Sequence, residues 1–144
     1  MCRLVWDRHA AEGLPYAIRY HSGRFDPTTA ELLLDNNAVG LTCATFILVV
    51  YASCGIQLIL SKSWPPREDD MKWHDSIVDA LEKHSTAPAQ HIETLRLEKG
   101  CARFRPEEVS AACLLEESPG SFEHVVKASH KVLEELAAIQ LASP

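Results

Sequence analysis

From Val39 to Leu60 the chain carries no charged side chain. Such a run has to leave water, either into the core of a globular domain or into a bilayer, which about 20 apolar residues span. Thr42, Thr45, Ser53 and Gln57 interrupt the run, and Gly55 supplies a stop signal in its interior. No basic cluster flanks it closely on one side, as a membrane anchor would favour. The core is therefore the preferred destination, with a membrane anchor through 39–60 as the minor alternative. Thr42 suits an N-cap, where its hydroxyl accepts an early helix N–H. Gly55 suits the left-handed position after a helix, with Ile56 as the apolar residue that follows it. The expectation is a buried central helix over about 42–54 and an apolar stretch over 56–60.

Charge divides the remainder. Of the 14 basic and 20 acidic side chains, residues 1–60 hold only four arginines and five carboxylates, and the rest lie after Leu60. A charge-poor half and a charge-rich half read as the buried and solvated parts of one domain, 1–144, because neither is long enough for a comfortable core of its own. Before the central helix, Cys2–Trp6 and Tyr16–His21 have strand composition. His21-Ser22-Gly23 is a turn signal, Arg24-Phe25 starts a returning strand, and Asp26-Pro27-Thr28-Thr29 is turn chemistry. Glu31–Leu34 is a short apolar run of either type.

After Leu60 the spacing is helical. Trp64-Pro65-Pro66 breaks the chain, and Arg67-Glu68-Asp69-Asp70 places carboxylates in a first turn, where the helix dipole favours them. Trp73, Ile77, Ala80, Leu81 and His84 mark one face of that helix. Pro88 opens a helix through Ile92 and Leu95 that Gly100 closes. Pro106-Glu107-Glu108 opens another, with Val109, Ala112 and Cys113 inward. Ser121 caps a last helix striped by Phe122, Val125, Val126, Ser129, Leu133, Leu136 and Ala137. The fold class expected is α+β: short antiparallel N-terminal strands packed on a buried central helix, followed by a mostly helical C-terminal half.

Composition removes several functions. A net charge of −6 with no basic face gives no electrostatic footprint for nucleic acid. Five cysteines, Cys2, Cys43, Cys54, Cys101 and Cys113, are an odd number at irregular spacing with no Cys-x-x-Cys and no secretory signal. That speaks against a secreted disulfide scaffold and for a reducing cytoplasm. His124 and His130 stand six apart, on different faces of a helix, and no Cys or His falls at zinc-ligand spacing, so neither a metal nor a cofactor is expected.

One segment has the makings of chemistry: Gly40-Leu41-Thr42-Cys43-Ala44-Thr45-Phe46. A cysteine in the first turn of a buried helix meets backbone N–H groups and the positive dipole end, which favour thiolate over thiol. The same amides suit an oxyanion. Over residues 38–54 the chain resembles the papain-like cysteine peptidase and amidase superfamily, in which a Cys-Ala/Ser-x-Phe helix start follows a short polar turn. The resemblance implies Cys43 as nucleophile of a hydrolase or acyltransferase acting on an amide or acyl bond of a small molecule or peptide.

Everything after Leu60 reads as helix, so the strand histidine of that superfamily has to precede Cys43, as in its circularly permuted, lecithin–retinol acyltransferase-like branch. His21, ending the Tyr16–His21 strand, and His9, following the first strand, are the candidate bases. Asn36 or Asn37 is a distant candidate to orient them. The first strand starts almost at Met1, which fits a chain lacking part of its sheet. Two alternatives from other classes stand beside this reading: a non-catalytic relative or small helical interaction protein, and the membrane-anchored protein.

Overall fold

The computed structural model describes residues 1–38, 40–85 and 87–142. The charge-free run becomes a buried helix, α2 (Cys43–Ser53), followed by irregular chain. Thr42 caps it reciprocally: Thr45 N–H donates to Thr42 Oγ1 at 3.1 Å, and Thr42 N–H donates to Thr45 Oγ1 at 2.7 Å. At the far end Gly55 takes a positive φ of 78°. Gly55 N–H and Ile56 N–H bond back to Ala52 O and Tyr51 O, each at 3.0 Å, which closes a Schellman motif. The stop falls far short of a bilayer's thickness. No helix among the described residues is long and apolar enough to cross a membrane.

Upstream, the antiparallel sheet is smaller than the sequence suggests. Residues 2–6 are not a strand but part of α1 (Cys2–His9), which buries only Val5. The β-rich composition of Cys-Arg-Leu-Val-Trp yields to helix as Arg3, Asp7 and Arg8 keep the other faces in solvent. Tyr16–His21 is irregular chain. Its amides find a side chain instead of a ladder, because Glu98 Oε2 accepts Ile18 N–H at 2.7 Å and Arg19 N–H at 3.0 Å. Gly23 is likewise in a strand and not a turn. β1 (Gly23–Phe25) pairs antiparallel with β2 (Leu32–Leu34), with Arg24 opposite Leu33.

The Asp26-Pro27-Thr28-Thr29 turn joins these strands as expected. Asp26 Oδ1 accepts Thr28 and Thr29 N–H, both at 2.8 Å. The hairpin packs on the central helix: Phe25 is fully buried, and its N–H donates to Ser53 Oγ at 2.7 Å.

The C-terminal half is α3 (Glu68–His84), α4 (Ala89–Leu97), α5 (Pro106–Ala112) and α6 (Phe122–Ala142). The architecture is α+β with a mostly helical C-terminal half. Ile92 and Leu95 are buried in α4 as read, and Gly100 takes a positive φ of 83° after it. In α3 the inner face is Asp70, His74 and Val78, flanked by Trp73, Ile77 and Leu81, whereas Ala80 and His84 are exposed. Cys113 is exposed as well.

α2 is the shared wall of the core. Ala44 and Leu48 pack with Leu58, Ile59, Trp64, Phe104, Val109 and Val125, while Val49 and Val50 face Val5, Phe25, Ala30 and Leu41. A third cluster of Ile18, Val78, Ile92 and Leu95 joins α3 to α4. There the His74 Nε2–H donates to Leu95 O at 2.8 Å.

Candidate functional site

Cys43 occupies the first position of α2, and its thiol is exposed. It lines a groove of about 510 Å³ between α2 and α5 together with Phe46, Ile47, Tyr51, Val109 and Cys113. Gly40 sets the approach to this helix. A Cβ there would stand 2.7 Å from Pro15 O, 2.8 Å from Tyr16 C and 2.9 Å from Ala17 N, so the 15–17 segment crosses directly over the turn before Cys43. Leu41 N–H donates to Pro15 O at 3.0 Å across this crossing. The Tyr16 backbone is thereby held against the turn that leads into Cys43. Burial pushes the Tyr16 phenol above its ordinary value, the Cys43 thiolate adds to this, Arg103 opposes it and Glu98 adds again. Tyr51 is also pushed up, first by its hydrogen bond with Cys113.

The two candidate bases lie elsewhere. His9 is half-buried at the end of α1, its Nε2–H donating to Ala30 O at 3.0 Å, with its ring 6.3 Å from that of Phe25. It faces two other cavities, one of about 580 Å³ beside Trp6 and Phe46 and one of about 850 Å³ beside Tyr16, Glu31 and His91. His21 is half-buried in the irregular chain before β1. Neither is among the residues lining the Cys43 groove. Asn36 is exposed with a positive φ of 58°, and the Asn37 side chain lies outside the described part of the chain. No group of three or more metal-ligating side chains comes together among the described residues.

The densest polar constellation is one that the periodic reading of the sequence passes over. Asp70, 4% exposed, and Glu108, 2% exposed, are bridged by Arg67, and Asp70 also takes Arg103 and Arg105. Arg67 Nε donates to Asp70 Oδ2 at 2.7 Å, Arg67 Nη1 donates to Glu108 Oε1, and Arg67 Nη2 reaches Arg103 O at 2.9 Å. Arg105 Nη2 and Arg103 Nη1 reach Asp70 Oδ1 at 2.9 and 3.4 Å, and Arg103 lies 3.6 Å over the Trp73 ring. Burial alone would lower the Arg67 guanidinium's value, but its bonds to Glu108 and Asp70 outweigh this and raise it. In Arg103 burial prevails and lowers it, with Asp70 opposing and Arg105 assisting. These groups satisfy one another, tying the start of α3 to residues 103–108. The signal in the sequence was the spacing Asp70, Trp73, His74, Ile77, which sets a carboxylate on an apolar face.

A second groove, of about 710 Å³, lies between the end of α5 and α6. Its floor is Ala111, Leu114, Leu115, Ala128, Val132 and Leu136, and its rim is His124, Lys127, Lys131 and Glu135. The expected α6 stripe is buried at Val125 and Ser129 and half-buried at Phe122 and Val126, then emerges into solvent at Leu133, Leu136 and Ala137. The reason is length. At about 1.5 Å per residue, α6 runs about 31 Å against about 10 Å for α5. Leu133 and Leu136 are 47% and 50% exposed, and Leu114, just past α5, is 76% exposed.

No family model matches the chain, and neither a curated protein nor a solved structure matches it.

Proposed function

We propose that this chain is a protein-interaction domain whose binding surface is the α5–α6 groove. The observation that carries the reading is that Leu114 and Leu136 are held in solvent in that groove, with Leu133 exposed on the same helix as Leu136. Contiguous exposed apolar surface with a polar rim marks binding sites on soluble domains. The expected test is photo-crosslinking in the expressing cell from a reactive residue in place of Leu136. A discrete adduct that disappears when Leu114→Glu is added supports the reading, and the absence of any adduct above an unirradiated control ends it.

A second reading keeps Cys43 as the nucleophile of a papain-like hydrolase or acyltransferase. It is favoured by the exposed thiol at the first position of a capped, buried helix. In that chemistry the thiolate attacks a carbonyl carbon, the leaving group departs with a proton, and water or another acceptor releases the thioester. His9 or His21 would have to move to the Cys43 groove to serve as base. Competitive alkylation by iodoacetamide at mildly acid pH is the check. Faster reaction at Cys43 than at the other exposed thiols, Cys2, Cys54 and Cys113, supports an activated thiolate; equal rates remove it.

A further inference from the structure

We propose that the occupant of the α5–α6 groove is a second copy of this chain, packed so that the two α6 helices run antiparallel about a twofold axis. The inference deepens the interaction reading and rests on it. Two features of α6 select this occupant. The first is that one helix supplies both halves of the contact. Its turns from Ala128 through Val132 to Leu136 line the groove, and its distal turns carry Leu133, Leu136 and Ile139 at 47%, 50% and 61% exposure. The distal stripe of one copy, laid across the groove of the other, covers both apolar surfaces at once. A twofold contact of this kind is self-complementary and closes on itself.

The second feature is charge. Residues 124–131 carry His124, Lys127, His130 and Lys131 and no carboxylate, whereas residues 132–142 carry Glu134 and Glu135 and no base. An antiparallel arrangement sets the lysines of each copy against the glutamates of the other. A parallel one would set lysine against lysine and glutamate against glutamate, which is unfavourable. The helix dipoles also oppose favourably when antiparallel. The rim of the groove carries His124, Lys127 and Lys131 against one carboxylate, Glu135, so its basic majority matches the acidic flank of the distal stripe. A contact built from a few helical turns belongs at the small end of specific interfaces, below about 1,200 Å² in total, so a dissociation constant in the micromolar range is expected.

The test is sedimentation velocity of the full chain from low to high micromolar concentration. The expected result is a concentration-dependent rise towards twice the chain mass. Leu133→Glu with Leu136→Glu abolishes this while leaving the far-ultraviolet circular dichroism unchanged, since both side chains already face solvent. Lys127→Glu with Lys131→Glu weakens association about tenfold, as several exposed pairs of a few tenths of a kcal/mol each would. Adding Glu134→Lys and Glu135→Lys to that variant restores it. A wild type that stays monomeric throughout overturns the self-pairing, as does a fourfold charge variant that fails to recover. If the monomer still gives the Leu136 crosslink to a different protein, the interaction reading survives without it. If neither dimer nor adduct forms, both fall.

Discussion

The indole N–H of Trp64 donates to the Glu108 carboxylate at 3.2 Å, inside a wall where both residues are at most 5% exposed. Glu108 also receives Arg67 and the Arg105 backbone N–H, the latter at 3.0 Å, so one carboxylate joins the Trp64 loop, the start of α3 and the start of α5. A buried ion pair is weak grounds for stability when compared with an apolar replacement, but removing one partner strands the other. Glu108→Ala is therefore expected to cost about 3–5 kcal/mol in urea unfolding. Glu108→Gln keeps an acceptor for the indole and is expected to cost less. Equal losses for the two variants would mean that the charge of the carboxylate, and not the acceptor or the volume that glutamine keeps, sets the penalty.

The central helix was legible because its ends carry their own chemistry: Thr42 and Thr45 at one end and Gly55 at the other act within a few residues of themselves. The hairpin turn at Asp26 was legible for the same reason. The strand expected at Tyr16–His21 was not realised, because its amides are taken by Glu98, about 80 residues away in sequence. Nothing local encodes such a partner. Asp70 was read as a helix-dipole carboxylate for a similar reason: of its three arginines only Arg67 is local, while Arg103 and Arg105 come from another segment. At the candidate site, the first-turn position of Cys43 was readable, whereas its exposure and the separation of His9 and His21 from its groove depend on the tertiary arrangement.

Gly40 is required where the 15–17 segment crosses the helix start, since any Cβ meets three backbone atoms of that segment at under 3.0 Å. Backbone cannot rotate away as a side chain can. Gly40→Ala is expected to destabilise by about 1–3 kcal/mol, the usual cost of overpacking. It should also loosen Tyr16 from the helix start, which hydrogen exchange at Leu41 N–H would register as faster exchange. Unchanged stability together with unchanged exchange would contradict the close crossing.

Asp26 is held below the ordinary carboxylate range, chiefly by the Thr29 N–H and then the Thr28 N–H. A lowered folded value means that its contribution is present above the ordinary 3.8 and is lost as pH falls through the folded value. The difference in melting temperature between the wild type and Asp26→Ala is therefore expected to be largest near neutrality and to vanish in strong acid. A difference that persists unchanged at the acid end would mean that the turn is held by something other than the ionised carboxylate.

Tyr16 reports on Cys43 in the opposite pH range. Its folded value is raised, first by burial and then by the thiolate, so the neutral phenol's contribution is complete below 10.0 and is lost as pH climbs through the folded value. Two measurements separate the causes. Tyr16→Phe should flatten the alkaline fall in melting temperature while leaving neutral stability nearly unchanged. Cys43→Ser removes a negative charge near the phenol, so the Tyr16 midpoint, followed by tyrosinate absorbance against the Tyr16→Phe background, is expected to move down towards the ordinary value without reaching it. Burial, the larger cause, remains in that variant. A midpoint indifferent to Cys43→Ser would place the thiol too far from Tyr16 for the phenol to take part in any chemistry at Cys43, and would leave the helix start as a packing feature alone.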